Sequence, residues 1–124
     1  MIHGAMLSHE EWAPQLEALA SQYRVITCDL RNHANTSCTT GPYSVLQFAE
    51  DVPGLLNAPG VDSFSCCGHS PGGMIAQQVA RLAPQLALGV KRFPMRRQVT
   101  PADVGTVARH PRPTMPKRST CHPR

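Results

Sequence analysis

Along the first part of the chain, short continuous apolar runs alternate with segments whose apolar residues recur at helical spacing. Ser8-His9-Glu10-Glu11 fits a capping box, in which a hydroxyl and a carboxylate satisfy each other's orphan backbone donors. Pro14 then restarts the helix at its own first position, where a missing N–H costs nothing, and Leu16, Leu19 and Ala20 form its apolar stripe. Tyr23 to Cys28 reads as a strand ending at Asp29, and a polar loop runs from Arg31 to Pro42. A second capping-box pattern, Ser44-Val45-Leu46-Gln47, opens a helix through Val52. Pro53 and Gly54 interrupt it, because an interior proline costs about 3 kcal/mol. Phe64 to Cys67 is the next strand, and Gly72 to Ala83 the next helix, closed by Pro84. Strands alternating with helices through short connections predict an α/β domain, a parallel sheet with flanking helices.

A length of 124 residues bounds the chain to one domain, which buries a smaller share of its surface than a full-sized enzyme. No apolar stretch approaches the ~20 residues needed to span a bilayer, so no membrane partner is expected. Met1-Ile2-His3-Gly4 lacks the basic and apolar regions of a secretory signal. The five cysteines are odd in number and show no metal-ligand spacing. Cys66 and Cys67 are neighbours on a predicted strand and therefore point to opposite faces. They read as small buried hydrophobes in a reducing, cytoplasmic setting.

Charge divides the chain in two. Residues 1–88 sum to −4 and residues 89–124 to +8, and six of the twelve prolines lie in the second stretch. Residues 1–88 are accordingly read as the organised domain. Residues 89–124 form a basic, Pro-rich tail that shows no sustained period and is expected to be disordered.

The candidate chemistry lies in Gly68-His69-Ser70-Pro71-Gly72-Gly73, a G-x-S-x-G between a short apolar strand and an amphipathic helix. In that context the pattern marks a nucleophilic serine on a strained turn. Three ordered stretches, from residue 1 to about 85, resemble the α/β-hydrolase superfamily in its lactonase, esterase and haloperoxidase-like branch. The first is Ile2-His3-Gly4 with Trp12-Ala13-Pro14-Gln15-Leu16 and Tyr23-Arg24-Val25-Ile26. The second, Asp29-Leu30-Arg31-Asn32-His33-Ala34-Asn35-Thr36-Ser37, is similar to the family's D-x-R-G-H-G-x-S loop. The third runs from Tyr43-Ser44 through Ala49-Glu50-Asp51 and Leu55-Leu56 to the serine turn.

The resemblance implies a partial α/β-hydrolase fold, with Ser70 as nucleophile and the Ala5 N–H as first oxyanion donor, and it implies no metal or other cofactor. Gly68, His69, Gly72 and Gly73 are the remaining elbow residues, with His69 pointing away from the working face of Ser70. The second oxyanion donor should come from position 71, but Pro71 has no N–H, a loss of order 10²–10³ in rate. Proline there suits the first helical position, yet it biases Ser70 toward extended backbone. The family order of serine, carboxylate, histidine leaves Asp103 and His110 as triad partners, although seven residues is a short separation for two such groups. His3 and His33 belong to loops where structural hydrogen bonding is the expected role, and His9 reads as an exposed first-turn residue. Asn32 and Ala34 replace two loop glycines, and alanine tolerates a left-handed backbone poorly.

Two functions stay open from sequence. One is a serine-dependent hydrolase of small ester or lactone substrates, with no specific nucleic-acid partner and with self-association through exposed sheet edges. The other is a non-catalytic homologue, truncated or read out of frame beyond residue 88, whose basic tail binds polyanions.

Overall fold

A computed structural model describes residues 1–41, 43–57 and 60–94. A 3₁₀ turn, His9–Trp12, runs directly into α1, Ala13–Leu19; α2 is Val45–Asn57, β1 Phe64–His69, α3 Pro71–Leu82 and β2 Ala87–Phe93. The strands β1 and β2 are parallel neighbours with α3 as their crossover, which makes a βαβ unit. Ile2 extends this sheet by parallel bridges to Gly68 on one side and Cys28 on the other. The spatial order is therefore Cys28, Ile2, β1, β2.

The expected strand over Tyr23–Cys28 reduces to that single bridge at Cys28. A ladder needs successive residues on both partners, and Ile2 is the one residue that stands between Cys28 and β1. A second difference concerns the residues just after position 88. Gly89–Phe93 lie inside β2, where burial alternates along the strand and ends on buried Phe93. The basic residues Lys91 and Arg92 hide this strand from a hydropathy reading. Residues 95–124, including Asp103 and His110, lie outside the described residues.

A third difference is Pro53, which sits inside α2 rather than ending it. Ala49, Val52 and Leu56 stay on one buried face across the proline, so packing outweighs the lost backbone hydrogen bond. The start of α2 follows expectation: the Ser44 hydroxyl accepts the Gln47 N–H at 3.0 Å.

Two cores lie on opposite faces of the sheet. Ile2, Leu30 and Cys66 pack with Ala49, Val52 and Leu56 of α2 and with Ile75, Ala76 and Val79 of α3. On the other face Cys67 packs with Trp12, Leu19 and Phe93. Adjacent cysteines thus serve different cores, as strand alternation requires. Burial pushes both thiols up, that of Cys66 to about 11.

Candidate active site

The end of β1 and the start of α3 meet at one residue. Ser70 has φ 52 and ψ −120, a positive-φ conformation that costs a non-glycine residue of order 1–3 kcal/mol. The surroundings hold it there. Its N–H donates to the Phe93 carbonyl at 2.9 Å, and its carbonyl accepts the Gly73 N–H at 3.0 Å. The expected bias of Ser70 toward extended backbone is not observed. Proline chiefly excludes the right-handed helical region for the residue before it, and this conformation lies outside that region. Pro71 itself occupies the first turn of α3, as expected.

Close backbone approach explains the glycines. A Cβ on Gly68 would run into the Gly72 carbonyl, and one on Gly72 would run into the carbonyls of Ile2 and His3. Those contacts hold the Ile2-His3 backbone against the start of α3. The His69 N–H donates to the Ile2 carbonyl at 3.1 Å. Beyond Gly4, a turn closed by the Leu7 N–H on the Gly4 carbonyl leaves Ala5 exposed and puts Met6 at φ 59. The structure thus sets Ile2, His3 and Gly4 against the turn that carries Gly68, His69, Ser70, Pro71 and Gly72, and Ala5 follows Gly4 in the chain.

Three histidines hold the framework. His3 is fully buried; its Nδ1–H donates to the Gly4 carbonyl at 2.7 Å, and its Nε2 accepts the Leu30 N–H at 3.0 Å. Both ring positions are occupied in the neutral form, and burial lowers its pKa from 6.5. The His33 Nδ1–H donates to the Arg31 carbonyl at 3.0 Å. These are the structural roles expected for the pair. His9 differs from expectation: it is half-buried, and both its backbone N–H and its imidazole hydrogen-bond Asp29, at 2.7 and 2.9 Å. Burial pushes the Asp29 carboxyl up, but these bonds from His9, with one from the Asn35 backbone, outweigh it and leave the pKa below 3.8.

Asn32 and Ala34 both adopt positive φ, at 61 and 44. Alanine therefore bears the strain that a glycine would avoid. Arg31 crosses to Asp51 of α2 in a two-pronged ion pair, which anchors the loop from the other side.

Sequence reasoning assigned Glu11 to a capping box, and the structure gives it a different place. The Ser8 hydroxyl accepts the Glu10 N–H at 3.3 Å, while the Glu11 carboxylate accepts the Gly4 N–H at 2.9 Å and contacts Nδ1 of His69. A glutamate at the third position of a helix start looks the same in either role, so no local signal separates them. The His69 ring lies against the Glu11 carboxylate. A shallow depression of about 530 Å³, lined by Met6, Leu7, Ser8, Glu10, Glu11 and Ala34, lies beside the Gly4–Leu7 turn.

Residues 71–94 contain no histidine and no carboxylate, so no described residue after Ser70 supplies the histidine or the carboxylate of a triad. Among the described residues no group of three or more His, Cys, Asp and Glu could hold a metal. No described helix is long and apolar enough to cross a membrane.

The fold and the Gly68-His69-Ser70-Pro71-Gly72 turn define an α/β-hydrolase-type architecture, and comparison with known proteins agrees. The family model described as "alpha/beta hydrolase fold" matches residues 1–91, and the chain belongs to that family. It is 38% identical over 68 residues to 3-oxoadipate enol-lactonase 1 of Acinetobacter baylyi, covering 55% of this chain and 25% of that protein. Among solved structures, a thermophilic esterase from Thermogutta terrifontis superimposes with TM-score 0.67 at 31% identity, covering 69% of this chain and 32% of the esterase. Est816, an N-acyl homoserine lactone degrading enzyme, superimposes with TM-score 0.69 at 31% identity, covering 75% and 35% respectively. The chain spans about a quarter to a third of the lengths of these relatives.

Proposed function

We propose that this chain carries the nucleophile of a serine-dependent hydrolase acting on small ester or lactone substrates. The observation that carries the reading is the positive-φ backbone of Ser70 between β1 and α3, beside the Gly4–Leu7 turn. A protein maintains such strain where the surrounding contacts over-determine it, and those sites are concentrated in function. The esterase and lactonase relatives support the substrate class.

In this reading Ser70 Oγ attacks the carbonyl carbon and the carbonyl electron pair moves onto oxygen, where the Ala5 N–H donates a hydrogen bond. Pro71 contributes no donor to that oxygen. The Ser70 proton passes to a base, for which His110 with Asp103 is the pair in the family order. Both lie outside the described residues. Ester turnover tests the proposal, with p-nitrophenyl acetate and γ-butyrolactone as substrates. The expected result is turnover by the full chain that falls to background in Ser70→Ala. Equal rates in the two proteins would overturn it.

One observation favours a second reading, the non-catalytic homologue with a polyanion-binding tail: position 71 lacks the N–H that the chemistry requires. That reading expects no turnover, and polyanion binding that weakens steeply with salt.

A further inference from the structure

Glu11 stands where three pieces of chain meet. It belongs to the 3₁₀ turn, its Oε2 accepts the N–H of Gly4 at 2.9 Å, and its Oε1 contacts Nδ1 of His69. Gly4 precedes Ala5 and His69 precedes Ser70, so one carboxylate links the proposed oxyanion donor to the proposed nucleophile. The Glu11 and His69 side chains are only 15% and 13% exposed. Among the described residues the imidazole nitrogens of His69 have no aligned hydrogen bond, and the Glu11 carboxylate is the polar contact recorded for the ring. A Cβ at Gly4 would stand 2.9 Å from Nδ1 of His69, so the two segments are already in contact around this carboxylate.

Helix capping does not account for the arrangement. The Ser8 hydroxyl serves Glu10, and the Ser8 carbonyl accepts the Glu11 N–H at 3.1 Å. The Glu11 side chain is directed at the site instead. Withdrawing a carboxylate from water is unfavourable unless hydrogen bonds or an opposite charge compensate, and the Gly4 N–H supplies one such hydrogen bond.

We propose that Glu11 is a positioning residue: it ties the Gly4 backbone to the His69 side chain, and so to the residue before Ser70, so that the Ala5 N–H and the Ser70 hydroxyl converge on one carbonyl. The proposal rests on the reading of Ser70 as nucleophile. Its weight comes from Pro71. With no N–H at position 71, stabilisation of the developing oxyanion falls on the Ala5 N–H, whose orientation depends on the neighbouring Gly4 peptide. A misplacement of about 1 Å at such a site costs up to about 10²-fold in rate.

The test uses the full chain with Glu11→Ala and Glu11→Gln. It reads kcat and KM for p-nitrophenyl acetate alongside hydrogen exchange of the Gly4 amide by NMR. In Glu11→Ala the Gly4 amide is expected to lose protection, and kcat to fall about 10-fold with KM unchanged. Glu11→Gln retains an oxygen for the Gly4 N–H, so it is expected to recover most of both. A folded Glu11→Ala protein with an unprotected Gly4 amide and wild-type kcat overturns the proposal, as does a Gly4 amide that stays protected. Where Glu11→Ala does not fold, Glu11→Asp, one methylene shorter, carries the same expectation, and wild-type kcat there is equally fatal. Wild-type protein that shows Glu11-dependent protection of Gly4 but no turnover overturns the nucleophile reading and leaves the tie standing.

Discussion

Pro71 sits where its missing N–H does not disturb the helix, because the first turn of α3 has no intrahelical use for that donor. The same position is where the proposed chemistry wants a donor to the oxyanion. Fold and catalysis therefore make opposite demands on one residue. Pro71→Ala restores the N–H at little cost to the helix, and the expected gain in kcat is on the order of 10²-fold. Steady-state turnover of p-nitrophenyl acetate measures it; an unchanged kcat would mean that the position-71 N–H does not face the reacting oxygen. At this scale the sequence disclosed Ser70, Pro71 and the close-packed glycines, because each residue type has a backbone consequence that spacing alone reveals. Glu11 was not legible, since its role depends on Gly4 and His69, seven and 58 residues away.

Between elements, His3 and Asp29 are the joints. His3 links the first sheet residue to the Leu30 backbone, and Asp29 links the same loop to the 3₁₀ turn through His9. Both links depend on pH in the same direction. Between 6.5 and its lowered pKa, His3 binds a proton in the unfolded chain but not in the folded one. Its contribution is therefore full above about 6.5 and is lost as pH falls through the folded-state pKa. Asp29 behaves likewise below 3.8, where the unfolded carboxyl protonates before the folded one. Thermal melts are expected to show a Tm that falls as pH drops below 6.5. In His3→Gln the Tm is expected to be lower at pH 8 but flatter between pH 6.5 and 5. An identical slope in that variant would contradict the assignment. Element boundaries were read less well than element types. Helical spacing identified α2, but the packing that carries it past Pro53 is tertiary, and the Tyr23–Cys28 segment needed a partner strand to be a ladder.

Across the molecule, two cores separated by a parallel sheet bring the Gly4–Leu7 turn, the 3₁₀ turn and Ser70 to one end of the structure. The sequence made that architecture legible through three ordered stretches and through the opposed cysteines Cys66 and Cys67. It concealed β2, whose basic residues resembled the tail that follows. The central claim is that Ser70 is a nucleophile, and covalent labelling of the full chain tests it without depending on substrate choice or deacylation. Incubation with a serine-directed fluorophosphonate is predicted to add one adduct, mapped by mass spectrometry to Ser70 and absent from Ser70→Ala. Folded protein that remains unmodified, or that is modified equally in Ser70→Ala, would contradict the claim.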